Sequence, residues 1–349
     1  MRHSPQSEES RTLLEMFSTL QGAFATLLEG MPGHQPHGTE FQRVSWLRDG
    51  GRHGGGERLA LRRNGAFDNA SLNVSCVHYD DLPDRKLASA TALSCIVHPA
   101  HALSPSLHMH TSWTALKSGS HSWRLMCDLN PATPHPPHTE RFVSTVREIV
   151  GERFEHGAAQ GDQYFFIPAL KRHRGAAHFY LEGHRGESWE SDKALVQSFV
   201  EAVSETYAAL VRESHAWEVH EAERRAQLEY HTIYLFQVLT MDRGTTSGLL
   251  AHQDNDLGIL GSLPSRAAPA LLRRWVDAVP EAQQPLVQRI AETLGDAPVV
   301  DVDDAMRLRL VQVVREHYRA NPEALAHQAR GFVLPPTVAN HRGKGAPQS

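Results

Sequence analysis

Residues 8–30 place Leu13, Leu14, Met16, Phe17, Leu20, Phe24, Leu27 and Leu28 at helical spacing, and Gly30 and Pro32 end the run. From about 42 to 127 the texture changes. Short β-branched or alternating runs, at 41–47, 58–63, 71–79, 93–98, 106–116 and 122–127, are separated by turn signals. Between the second and third runs, Arg63-Asn64-Gly65-Ala66 carries an Asn-Gly pair, which accepts the positive φ angles of a two-residue hairpin turn. Consecutive strands joined by short loops argue for an antiparallel sheet rather than a βαβ series.

Helical pattern returns afterwards. Residues 139–154 are amphipathic, 161–173 are expected to form another helix, and 178–181 a short strand. Residues 192–225 read as one long helical stretch with Ser191 or Asp192 as its cap. The segment 230–240, rich in aromatic and β-branched residues, reads as a buried strand. Beyond Leu263-Pro264 the chain is mostly helical to about Ala329, and 341–349 form a polar tail. The expectation is an α+β fold, with a large central antiparallel β-sheet flanked by helices on both faces. One domain spans 1–340, because neither a repeat nor a Pro/Gly linker divides the chain.

Composition narrows the function more than the fold. With 40% hydrophobic and 21% charged residues over 349 positions, the chain has the make-up of a globular protein. A formal net charge of −5 with interspersed signs gives no footprint for nucleic acid and no polybasic membrane patch. Apolar runs stop well short of the ~18 residues a membrane span needs. The acidic N-terminal stretch does not resemble a secretory signal, and Cys76, Cys95 and Cys127 are too scattered for a disulfide framework or a zinc site. A cytoplasmic location is expected. The 23 histidines are unusual, but single histidines such as His34, His37, His135, His138 and His184 read as polar surface.

Four stretches carry candidate chemistry. In the run 104–113, side chains two apart share a strand face, so His108, His110 and Ser112 project together. That face is a proton-transfer site, half of a metal site or an ordinary polar surface. Asp128 closes a strand, where an acid is more often a turn-former. Asp242-Arg243 opens a Gly-rich loop, either an anion or amine clamp or a surface turn with a weak ion pair. Gly54-Gly55-Gly56 permits close approach of backbone to a ligand, but lacks the Lys-Ser/Thr and helix of a phosphate loop.

Taken in order, these and other blocks resemble the oxygen-dependent coproporphyrinogen III oxidase family. The matching pieces are 54–57, 67–75, 92–99, 105–110, 127–131, 164–167, Arg174-Gly175, 242–245 with Gly248-Leu249, and 259–264. They cover roughly residues 40 to 275. The resemblance implies a homodimer that uses molecular oxygen as co-substrate, with no metal or organic cofactor. It further implies oxidative decarboxylation of two propionates of a reduced tetrapyrrole to vinyl groups, releasing carbon dioxide and hydrogen peroxide. On that basis His108 is the acid/base group, Asp128 and Asp242 face pyrrole N–H groups, and Arg243 and Arg174 suit propionate carboxylates. Asn73 and Ser94 fall in blocks expected to bind substrate.

The sequence also departs from the family. Arg124, Leu125 and Met126 stand where the family has three glycines, and Ser112 stands where it has an arginine. Arg124 is a candidate to replace that charge. Glu182 remains from a pair of acids, and His110 replaces a common asparagine. These changes suggest a smaller pocket, suited to a divergent paralogue acting on a smaller heteroaromatic carboxylate. Another class is a metal-dependent oxygenase with iron or copper on His108, His110 and Asp128. The remaining class is a non-catalytic binding or dimerisation module.

Overall fold

The computed structural model describes residues 2–33, 40–63, 65–251 and 253–331. Its centre is a seven-stranded antiparallel sheet in the order β1-β2-β3-β4-β5-β6-β9, formed by β1 (Gln42–Leu47), β2 (Gly54–Arg62), β3 (Phe67–His78), β4 (Leu87–Pro99), β5 (Ser106–Leu116), β6 (His121–Asn130) and β9 (Ala177–His184). Two-residue strands make two small ribbons, β7 (Phe166–Ile167) with β8 (Arg172–His173), and β10 (Arg266–Ala267) with β11 (Val300–Asp301). β2 and β3 form the expected hairpin, but its connection is longer than two residues: Arg62 stands opposite Asn69 and the Arg63 amide donates to Asp68 O at 3.2 Å, while Asn64 lies outside the described residues. The polar tail 341–349 lies outside them too.

The sheet's alternation decides where helices pack. One face presents Leu72, Leu93, Cys95, Met109, Leu125, Cys127 and Phe179 to α1 (Glu8–Glu29), α2 (Pro136–Val150), α3 (Phe154–Phe165) and α4 (Trp189–Ser214). The other face is polar at its centre. It is covered by α5 (Glu221–Thr240), α6 (Arg243–Ala251) and α7 (Asp256–Ile259). Behind these lie α8 (Pro269–Trp275), α9 (Gln284–Leu294) and α10 (Asp304–Ala320), which share a second core with α5. The helices-on-both-faces expectation is borne out. Among the described residues no helix is long and apolar enough to cross a membrane.

Four local expectations are corrected. Residues 230–240 are helix, the buried second half of α5, in which every residue from Tyr230 to Thr240 is buried. A helix enclosed on all sides loses its polar stripe, so only its β-rich composition remained to be read. The stretch 192–225 is two helices: α4 ends at Ser214 and α5 begins at Glu221, where Glu223 accepts from the His220 amide at 2.9 Å. The cap of α4 is Ser188, which accepts from the Ser191 amide at 3.1 Å, while Asp192 accepts from His184 and the Gly186 amide at 2.9 Å each. Residues 161–173 leave the helix at Phe165, because Pro168 forces Ile167 to be extended and Lys171 turns the chain at a φ of 49°.

The triple glycine serves the sheet rather than a ligand. Gly54 and Gly55 have φ of 84° and 148°, and side chains there would overlap the carbonyl oxygens of Cys76 and Trp46 on the flanking strands. A second close approach lies at Gly157, where a Cβ would overlap the ring of Phe179, itself packed between Phe154 and Phe199.

Gly22 and Gly157 are both mid-helix glycines, yet opposite outcomes are expected on substitution by alanine. Gly22 has open space around it, so Gly22→Ala should stabilise by about 0.5–1 kcal/mol. Gly157→Ala should instead destabilise by about 1–3 kcal/mol through overpacking against Phe179. Urea midpoints of the two variants check the sign; stabilisation by both would refute the tight α3–β9 contact.

Candidate active site

Antiparallel register sets the polar face of the sheet into rows. Ser71, Ile96, His108, Asp128 and His178 lie opposite one another across β3, β4, β5, β6 and β9. The adjacent row is Asn73, Ser94, His110, Met126 and Tyr180, and the next includes Ser75, Ala92, Ser112 and Arg124. These rows floor a cavity of about 270 Å³. Tyr234 and Val238 of α5, the Asp242–Thr245 segment, and Ile259 and Ser262 form its walls. Of the residues singled out in the sequence, Asn73, Ser94, His108, His110, Arg124, Arg174, Asp242 and Arg243 line this cavity; Asp128 and Glu182 contact residues that do, and Ser112 and Gly54–Gly56 do not line it.

Asp128 is fully buried at the centre of the hydrogen bonding. One carboxylate oxygen accepts from His108 Nδ1 at 2.8 Å, and the other from Arg174 Nη2 and Asn130 Nδ2 at 2.7 Å each. Burial by itself pushes the Asp128 carboxyl up. The charges of Arg174 and His108, with the hydrogen bonds, outweigh that and hold it well below the usual carboxylate range. An ionised Asp128 accepts only, so its 2.8 Å contact puts a ring proton on His108 Nδ1; Arg174 Nη2, 3.1 Å from the same nitrogen, donates to Asp128 instead, and in the singly protonated ring Nε2 is the basic nitrogen. His108 lines the cavity, and Asp128 fixes its tautomer and orientation.

Arg174 is therefore not a free clamp for substrate. It is buried, its guanidinium stands 4.6 Å from the Phe165 ring centroid and 4.8 Å from that of Tyr234, and it neutralises Asp128. Its backbone is held in turn: its amide donates to Phe165 O at 2.9 Å, and its carbonyl lies 2.6 Å from His178 Nε2.

Arg124 is likewise committed. Its Nε and Nη2 bind the two oxygens of Glu182 at 2.5 and 3.1 Å, and Tyr180 OH donates to the same carboxylate. Burial lowers the Arg124 guanidinium, but the neighbouring Tyr180 and Glu182 more than reverse this and keep it charged. The replacement of a lost carboxylate clamp by Arg124 is thus offset by Glu182. Small Ser112 lies directly opposite Arg124 in the register.

Asp242 caps a helix rather than opening a loop. Its carboxylate accepts from the Thr245 amide at 2.6 Å and from Tyr164 OH at 3.0 Å, which fixes the start of α6. The Gly-rich composition of 243–248 concealed that helix. Arg243 follows in its first turn and lines the cavity, with its buried Nε making no hydrogen bond. Burial lowers its guanidinium pKa. No ion pair with Asp242 forms among the described residues, so Arg243 is the lining arginine left available for an anion.

The metal reading fails on donor geometry. Among the described residues no three His, Cys, Asp or Glu side chains converge to hold a metal ion. His110 sits one row away from the His108–Asp128 pair, and both oxygens of Asp128 are already occupied. His110 is held far below the usual histidine range by burial, Arg124 and His108, which keeps it neutral.

Tyr180 and Tyr234 belong to the site but were not singled out in the sequence. Tyr180 was recoverable, since it alternates with His178 and Glu182 on one strand face. Tyr234 faces the sheet with Val238 at helical spacing, a pattern invisible while 230–240 read as strand.

Replacing Asp128 by Asn should expose this electrostatic arrangement. The native carboxyl has a depressed pKa, so its contribution is fully present above the unfolded value of ~3.9 and disappears as pH falls below it. At pH 7, Asp128→Asn leaves Arg174 buried without its counter-ion and should cost about 3–5 kcal/mol. The gap to the native protein should narrow as pH falls from about 4. A gap independent of pH in denaturant titrations would contradict the charge assignment.

The coproporphyrinogen III oxidase family model matches residues 12–283. Several curated relatives carry the name oxygen-dependent coproporphyrinogen-III oxidase. That from Rickettsia akari (strain Hartford) is 28% identical over 241 residues, covering 64% of this chain and 84% of the relative. Those from Rickettsia bellii (strain OSU 85-389) and Rickettsia rickettsii (strain Sheila Smith) are 26% and 27% identical over 240 residues, with the same coverage. The matched span holds every residue of the Asp128 and Asp242 constellations, and the chain belongs to the coproporphyrinogen III oxidase family.

Proposed function

We propose that this protein is an oxygen-dependent oxidative decarboxylase, with coproporphyrinogen III as its substrate. The observation that carries the proposal is the ionised Asp128 orienting His108 toward a cavity whose available cation is Arg243. Each propionate would lose carbon dioxide as its C–COO bond breaks and the electron pair becomes the vinyl double bond. The carbon next to the pyrrole gives up a hydrogen with two electrons to molecular oxygen, and one added proton completes hydrogen peroxide. An electron-rich pyrrole needs positioning, proton delivery and charge stabilisation for this chemistry.

His108 Nε2 is the group assigned to proton transfer, and Arg243 the group assigned to the reacting carboxylate. Asp242 and the tyrosine pair Tyr164 and Tyr180 offer polar edges to pyrrole N–H groups, while Asn73 and Ser94 bind from the sheet floor. The cavity volume lies just below the roughly 300–1,000 Å³ of typical ligand pockets. One pyrrole ring and its side chain enter it, and the other rings rest at its mouth. The same proposal carries a homodimeric assembly in the cytoplasm and no resident metal or organic cofactor.

The test is aerobic incubation of metal-stripped protein with freshly reduced coproporphyrinogen III, read by mass spectrometry, with light scattering on the same preparation. Oxygen-requiring loss of carboxyl groups is expected. His108→Ala should lower kcat by 10²–10⁴-fold, and Arg243→Gln should mainly raise KM. Folded protein with no turnover would overturn the assignment, and turnover only after adding iron or copper would overturn its metal-free form.

A further inference from the structure

A second cavity, of about 540 Å³, opens away from the catalytic one, between the turn after β4, the first half of α5 and the β10–β11 ribbon. Arg224, Arg225 and Arg266 line it, with Glu221 as the acidic residue at its edge. Among the described residues none of the three arginines forms an ion pair; Arg224 spends one N–H on Val219 O at 3.3 Å. Clustered guanidinium groups repel one another unless an anion sits between them. At its inner end stands His231, 2% exposed, whose buried Nε2 makes no hydrogen bond. A buried polar atom without a partner costs free energy unless a ligand satisfies it. Burial, only partly opposed by Asp68, lowers His231 to about 4, so its ring is neutral near pH 7 and donates when its proton is on Nε2. The walls between these groups, Leu228, Ala102 and Val299, are apolar, and Val299 is an exposed large hydrophobic residue.

We propose that this cavity binds the oxyanion group, phosphate or carboxylate, of a small organic molecule with an apolar body. Arg225 and Arg266 bind the anion, His231 Nε2–H donates to it, and Val299 and Leu228 cover the apolar part. The site is separate from the catalytic cavity. The buried His98 ring stands between them, 5.4 Å from the His231 ring and 4.6 Å from that of Tyr234.

Calorimetric titration of the full chain with phenyl phosphate and with benzoate tests the proposal, and the two ligands distinguish which oxyanion is preferred. Binding of at least one is expected, weakened tenfold or more in the double variant Arg225→Gln with Arg266→Gln and within twofold of native in Arg243→Gln. Both arginines are exposed, and thermal melting checks that the double variant is folded. In the native chain, the His231 Nε2 resonance should shift as ligand is added. Absence of binding by both ligands, affinity that survives the double substitution, loss in Arg243→Gln, or an unmoved His231 signal would each overturn the assignment.

Discussion

A single buried carboxylate organises the polar face of this sheet. Asp128 has no exposed surface, and an ion of that kind persists only when every oxygen is paired. Three donors from three places supply the pairing: His108 from the next strand, Asn130 two residues on, and Arg174 from the segment between β8 and β9. Arg174 in turn requires the rings of Phe165 and Tyr234, one at the end of α3 and the other on α5. The ion pair therefore ties the sheet to the helices on its polar side and sets the tautomer of the one histidine assigned to proton transfer.

The opposite sheet face explains why such a polar floor is tolerated. Alternation sends Leu72, Cys95, Met109, Cys127 and Phe179 into a continuous apolar layer against α1 to α4, so that face supplies the burial that holds the strands in register. Register then delivers function directly. Because His108 faces Asp128 and Ser112 faces Arg124, a slip of β6 by one residue would turn both Asp128 and Arg124 into the apolar layer.

Much of the sheet was legible in the sequence because a two-residue period is a local property, visible in 71–79, 93–98 and 106–116. The same period placed His108, His110 and Ser112 on one face, whereas Asp128, read as closing a strand, lies inside β6, which runs on to Asn130. What the sequence concealed depended on tertiary burial. Tyr234 was hidden because α5 is enclosed and has no polar stripe, and the helix after Asp242 was hidden because glycines and threonines form it. Charge pairing was also invisible: Arg174 and Arg124 read as free cations for substrate, whereas Asp128 and Glu182 already hold them. The resemblance of ordered motifs identified the family, while the geometry alone separates Arg243 from the arginines that serve structure.

The most direct test of this account is the protonation pattern of the His108 ring, measured by ¹H–¹⁵N correlation in the native protein at alkaline pH. A protonated Nδ1 and an unprotonated Nε2 are expected, with the Nδ1–H signal lost or strongly shifted in Asp128→Asn. A ring protonated on Nε2 instead would contradict it, since the nitrogen facing the cavity would then have no lone pair with which to accept a proton.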